Sequence, residues 1–222
     1  IKECDWSSDV CSSDLAYRAL RPHSILVREL HAGHRENVRE HLQELSEQDR
    51  SLRFGMPTTD DIINKYVDKL NFSVDSMFGV FNQELKLIGF AHLAYPSKSK
   101  SKPVMVEFGV SVSQSGRGQG VGSALFKRAA MHARNTHVEI LYVHCLSSNK
   151  VMMHIAKKAG MNVEFSYGEA DAYLRLPKPT SASIVKEAVE AQVAAMDYAV
   201  KRNLKESNFV MAPVWPFVSA NK

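Results

Sequence analysis

Between a strand-like run, Val104 to Val112, and a helix-like run, Ser123 to Ala133, lies SGRGQGVG at 115–122, with four glycines in eight residues. No other segment restricts the fold so strongly. Val104, Val106, Phe108, Val110 and Val112 read as one face of a strand, with Glu107 on the other. A strand that turns through glycines into a helix gathers backbone N–H groups at the helix N-terminus, a concavity suited to phosphate oxygens. Two phosphate loops are excluded by residue type. A Walker loop ends in Gly-Lys-Ser/Thr, which does not occur here. The dinucleotide pattern G-x-G-x-x-G/A fails at its last position, which is Val121 counted from Gly116 and Ser123 counted from Gly118.

The surrounding pattern places this turn after a fourth strand. Residues 24–30 read as a first strand. Val38, Leu42, Leu45 and Leu52 predict one amphipathic helix over 35–54, and Thr59 or Asp60 caps a second that buries Ile62, Ile63, Tyr66, Val67 and Leu70. Strands are expected at Met77–Phe81 and Leu87–Tyr95, joined by a turn at Asn82-Gln83-Glu84, with the SKSKSK stretch between Pro96 and Pro103 as an exposed hairpin tip. After the glycine turn and its helix come a strand at 140–145, a helix at 149–159 and strands at 163–166 and 172–176. The order β-α-α-β-β-β-α-β-α-β-β is that of a mixed α/β (α+β) domain.

Arg117-Gly118-Gln119-Gly120-Val121-Gly122, preceded by Val110-Ser111-Val112, resembles the acetyl-CoA signature of the GNAT superfamily of N-acetyltransferases, Gln/Arg-x-x-Gly-x-Gly/Ala after a Leu-x-Val strand end. Asn149 then opens a helix followed by Gly160-Met161, where the family has Gly-Phe. The resemblance spans about residues 24 to 176. It implies a mostly antiparallel mixed sheet with two splayed central strands, flanked by helices, and acetyl-CoA as cosubstrate. Amides of Arg117, Gly118, Gln119, Gly120, Val121 and Gly122 would hold the pyrophosphate. The main chain of Val110 and Val112 would pair with the pantetheine arm, and Asn149 would bond that arm from the neighbouring strand end.

The implied reaction moves an acetyl group to a primary amine, on a small molecule or a protein, by direct attack. An ammonium cannot attack a thioester until it loses a proton, so a base within direct or one-water reach is required. Glu107 is the candidate, at a position where several family members place a base; its alternative is an exposed or ion-paired strand residue. The amide of Val110 is placed to stabilise the oxyanion. The sequence departs from the family at the general acid: the usual Tyr, seven residues after the Asn, is Ala156. His154, on the same helix, is the candidate in its place; Tyr142 and His144 on the preceding strand read first as structural. Cys145 is not expected as a nucleophile, and the nine histidines show no ligand spacing, so no metal is expected. For the acceptor pocket, Arg50, Arg53, Phe54 and Tyr66 are the candidates. The missing Tyr motivates a second reading, a non-catalytic acyl-CoA-binding regulatory module.

Composition matters at the two ends. Residues 5–15, DWSSDVCSSDL, resemble one reading frame of a sequencing adapter, so 1–15 are set aside as a non-native segment, the alternative being a genuine tail. The formal charge of +4 over the whole chain then becomes +7, from 27 basic and 20 acidic residues, too diffuse to argue for nucleic acid. One cysteine, Cys145, remains, which points to a reducing, cytoplasmic setting. No apolar run is long enough for a membrane span. The acetyltransferase domain is expected over 16–178 and a helical extension over 179–222. Val185, Val189, Val193, Met196, Val200 and Leu204 form an apolar stripe that must bury against its own domain or in a homodimer. The tail FVMAPVWPFV is expected to dock.

Overall fold

The computed structural model describes residues 25–96 and 104–210. Their elements are β1 (Arg28–Glu29), α1 (Arg35–Gln43), α2 (Glu47–Phe54), α3 (Asp60–Lys69), β2 (Ser76–Phe81), β3 (Leu87–Ala94), β4 (Met105–Val112), α4 (Val121–Asn135), β5 (Ile140–Leu146), α5 (Lys150–Lys158), β6 (Asn162–Ser166), β7 (Glu169–Arg175) and α6 (Ser181–Val210). The 1–15 segment, the hairpin tip at 97–103 and the tail from 211 lie outside the described residues.

Two expectations fail near the N-terminus. The single helix over 35–54 is broken at Ser46, whose hydroxyl accepts from the Asp49 amide at 3.2 Å and caps α2. A side-chain oxygen that satisfies an otherwise unpaired N–H starts a new helix even where the apolar spacing runs on. The first strand shrinks to Arg28–Glu29, because it pairs only with β2 at the edge of the sheet.

The strands form one sheet in the order β1-β2-β3-β4-β5-β7-β6, antiparallel except where β4 meets β5. Helices α1 and α3 cover one face of β2 and β3 with Val38, Leu42, Ile63 and Val67, over Met77, Phe81, Leu87 and Phe90. Helices α4 and α5 cover the other with Leu125, Phe126, Met152 and Ile155, over Phe78, Leu93, Val106, Phe108, Leu141 and Val143. Residues Leu87 to Leu93 of β3, buried on both faces, are therefore all inaccessible. The far half of the sheet has its core on the α5 side alone, so Tyr142, His144, Asp171 and Tyr173 stand on a partly open face.

His41 joins this scaffold to the site. Its Nδ1–H donates to the Leu87 carbonyl at 2.9 Å, which leaves Nε2 to accept from the Ser111 hydroxyl of β4, also at 2.9 Å. Burial lowers its pKa to about 4. The unfolded chain takes up a proton near pH 6.5 and the folded chain does not, so this contribution is complete above that value and is lost as pH falls toward 4. The loss is on the order of 3 kcal/mol. Urea midpoints at pH 7 and 4.5 should differ accordingly, and by less in His41→Gln.

Of the two burials expected for the C-terminal stripe, the one against its own domain does not occur. The helix docks there through another face. Glu187 lies at a point where the His132 ring at 2.7 Å, Asn135 at 2.6 Å and the buried Arg128 converge, and Tyr198 packs on Phe81 at 4.9 Å. This polar and aromatic contact lies on the opposite side of the helix, leaving Val185, Val189, Val193, Met196 and Val200 between 44% and 61% exposed. Among the described residues, no helix is long and apolar enough to cross a membrane.

Candidate active site

The glycine segment folds as the spacing predicts. A 3-10 turn, Gln114–Gly116, leads through Gly118 (φ +71°) and Gly120 (φ +85°) into α4. The first helical bond of α4 runs from the Ala124 amide to the Gly120 carbonyl, so the amides of Val121, Gly122 and Ser123 have no partner within the helix, and its first turn carries no acidic residue. The Arg117 amide differs, because it donates to the Gln114 carbonyl at 3.3 Å. The Arg117 side chain ion-pairs with Asp49 of α2, and Gln119 donates its carboxamide to the Ser115 carbonyl at 2.7 Å. The amide cradle thus begins at Gly118.

Beside it the sheet opens. The parallel register of β4 and β5 covers three pairs and ends at Glu107↔Tyr142, after which β4 continues to Val112 and β5 to Leu146 without pairing. Antiparallel pairing with β3 fixes which backbone groups look into the gap. The Ser113 amide bonds the Ile88 carbonyl, so Ser111, Gly109 and Glu107 turn their polar groups toward β3. Phe108, Val110 and Val112 turn theirs toward the gap. The resulting cleft, of about 1060 Å³, also takes in Gly118, Gly120 to Ser123, Asn149 and His154. Asn149 caps α5, its side-chain oxygen accepting from the Met152 amide at 3.0 Å, which leaves the NH2 group as a donor. Ala156 is fully buried in the core.

Ionisable side chains gather on the open sheet face, where Glu107, His144 and Glu169 line the cleft and Tyr142 and Asp171 stand beside it. Glu107, exposed, stands at the closed end beside Tyr142. One oxygen of Asp171 accepts from the Tyr142 hydroxyl at 2.6 Å and lies 2.8 Å from His144 Nδ1. That bond raises the His144 pKa against the opposing effect of burial, and the negative charges of Asp171, Glu169 and Glu107 raise it further. Burial, followed by the bond to Asp171, raises the Tyr142 pKa. Cys145 faces the core, where burial pushes its thiol up to about 11, so it is a poor nucleophile near neutral pH.

Glu107 and His154 come to the same cleft from different sides. His154 stands exposed on α5, on the flank built with α4. Of the acceptor candidates, Arg53 and Phe54 line the cleft and Tyr66 bonds Arg53, but Arg50 does not take part. It ion-pairs with Asp60 at 2.7 Å and bonds carbonyls of Gln43 and Leu45, tying the α1–α2 turn to α3. Asp171 was missed because only the β5–β7 register brings it to His144. Among the described residues, no cluster of three His, Cys, Asp or Glu could hold a metal ion.

The family model described as "Acetyltransferase (GNAT) family" matches residues 39–161, from α1 to the end of α5. The chain belongs to the GNAT acetyltransferase family. Solved structures share this GNAT fold at low identity. The GNAT domain of S. lividans PAT matches with a TM-score of 0.57 and 18% identity, over 68% of this chain and 89% of that one. A ribosomal-protein-alanine N-acetyltransferase from Brucella melitensis matches at 0.55 and 14%, over 68% and 99%. A spermidine N-acetyltransferase from Vibrio cholerae, in complex with CoA and spermine, matches at 0.52 and 18%, over 67% and 94%. No curated protein matches the chain. In this GNAT acetyltransferase the family match ends before β6, β7 and α6, so it leaves out Asp171.

Proposed function

We propose that this GNAT acetyltransferase moves an acetyl group from acetyl-CoA to a primary amine by direct attack within a ternary complex. The observation that carries the reading is the opening of one cleft to both the amide cradle of α4 and the Glu107 carboxylate. Bound acetyl-CoA would supply an activated acyl carbonyl. The amides of Gly118 to Gly122 would receive the pyrophosphate, the inward-facing backbone of Val110 and Val112 would pair with the pantetheine arm as a strand would, and the Asn149 NH2 would donate to that arm.

Glu107 takes the ammonium proton, directly or through one water, and the Tyr142–Asp171–His144 cluster offers it a route to solvent. The Val110 amide donates where oxyanion charge develops. A C–N bond forms as the C–S bond breaks, the nitrogen gives up its second proton to solvent, and the thiolate leaves with a proton from His154 on the α5 flank, which solvent then replaces. An acetylated cysteine intermediate is disfavoured by the raised pKa of Cys145.

The test is coenzyme A release by the full chain from acetyl-CoA, with polyamines, amino acids, aminoglycosides and lysine peptides as acceptors. The Vibrio cholerae enzyme, whose structure holds spermine, justifies the polyamines. Turnover with any of them supports the enzyme. Saturable acetyl-CoA binding without turnover would favour the non-catalytic module, for which Ala156 is the one supporting observation.

A further inference from the structure

The acceptor's chemistry is inscribed on the open wall of the cleft, and this inference rests on the acetyl-transfer reading. Arg53 reaches from α2 across β4, and its guanidinium occupies the space above Gly109. A Cβ there would stand 2.6 Å from Arg53 Cζ, so the missing side chain is what admits the cation. Arg53 Nη2 donates to the Tyr66 hydroxyl at 3.1 Å, and the rings of Phe54 and Tyr66 lie 5.2 and 5.7 Å from Cζ. These are neutral partners. Nε is buried without any hydrogen bond, and among the described residues no carboxylate lies within 4.0 Å of the guanidinium. Arg39, Arg50, Arg117 and Arg128 each have such a carboxylate, and Arg35 and Arg134 donate to backbone carbonyls instead, whereas Arg53 has neither.

The cation is also held in place from behind. The Tyr66 hydroxyl lies 2.8 Å from His92 Nδ1, and His92 Nε2 lies 3.2 Å from the Asp75 carboxylate. A partly desolvated guanidinium that is fixed in position but has no counter-ion is a site for an anion, and its planar fork suits a carboxylate. The opposite sign lies close by. Glu107 is two residues back on the same face of β4, a step of about 7 Å, which accommodates the ammonium and carboxylate of one α-amino acid with a hydrogen bond at each end. Across the gap, Gly109 would meet His144 and its partner Asp171 if the β4–β5 register continued. Leu52, Phe54 and Met56 line the same cleft.

We propose that the acceptor is an α-amino acid with an apolar side chain, its carboxylate held by Arg53 and its amine presented to Glu107. The products are then an N-acetyl amino acid, coenzyme A and the proton released from the ammonium. Polyamines, which have no anion for Arg53, are poor acceptors.

The experiment compares L-leucine, L-methionine and L-phenylalanine with their carboxamides, their decarboxylated amines and spermidine, by coenzyme A release and by calorimetric binding to the full chain with and without coenzyme A. The free acids should exceed their amides by about 30-fold in kcat/KM, the value of a charge-assisted bond to a fixed cation. Arg53→Gln should reduce that ratio to near one through KM, and Arg53→Lys should keep part of it. An amide, decarboxylated amine or spermidine used as well as the acids overturns the inference. If no amine turns over although acetyl-CoA binds, acetyl transfer fails as the activity and calorimetry decides the Arg53 site separately. Leucine binding tighter than leucinamide in the wild type, but not in Arg53→Gln, upholds it; equal or absent binding overturns it. Arg53→Lys serves as the folded comparison if Arg53→Gln does not fold.

Discussion

Glu107→Gln should lower kcat by about 100-fold or more while leaving the acetyl-CoA Kd unchanged, because the substitution removes the proton acceptor but keeps size and hydrogen-bonding shape. The placement of Glu107 supports a selective effect. It projects on the open face at the last residue of β4 that pairs with β5, whereas the amide cradle lies beyond the far end of that strand. No core contact depends on it, so the melting temperature should stay close to wild type. The pH profile adds a second readout. The variant can use only amine that is already deprotonated in solution, so its rate should keep rising with pH toward the pKa of the acceptor, and its deficit should shrink. A variant with wild-type kcat would reduce Glu107 to a solvated strand residue and return the search for the base to His144 and Asp171.

Gly120→Val should weaken acetyl-CoA binding at least tenfold and destabilise the fold by about 1–2 kcal/mol, since a β-branched residue is strongly disfavoured at positive φ. Gly120 holds φ +85° at the start of α4, and relaxing that angle would rotate the amides of Val121 and Gly122 out of the cradle. Gly168→Val separates the two effects. Gly168, in the turn between β6 and β7, holds φ +90° and has nothing within 4 Å of its missing side chain. It should suffer a similar loss of stability and retain its affinity for acetyl-CoA. Equal loss of binding in both variants would mean that general destabilisation, not the cradle, weakens the cofactor.

Both predictions rest on residues that could be found in the sequence because their signals are local. The glycine cluster, the alternation that sets Glu107 opposite Phe108, and Asn149 at a helix start each occupy a few consecutive positions. The break at Ser46 was also legible, as a Ser followed three residues later by Asp, but the longer apolar spacing concealed it. It shapes the cleft, because α2, as a helix of its own, carries Arg53 over Gly109 of β4.

The C-terminal helix shows the opposite limit. Its apolar spacing marked a helix but did not reveal the face that docks on the domain, since hydrophobic pattern says nothing of a Glu187 that meets Arg128, His132 and Asn135 on another helix. Likewise Arg50 and Arg53, three residues apart on one helix, looked alike in sequence. One is an internal tie to Asp60 and the other lines the cleft.

By itself, then, the sequence determined the order of elements apart from the break at Ser46, the glycine turn into α4 and the place of Glu107 opposite Phe108, because backbone conformation and side-chain alternation are set by near neighbours. Tertiary structure alone decided that β4 and β5 part after Glu107, that Asp171 meets His144 and that the Arg53 guanidinium fills the space left by Gly109. Those juxtapositions depend on strand register and on helix placement across the sheet, which arise only when segments distant in the chain bury their apolar faces together.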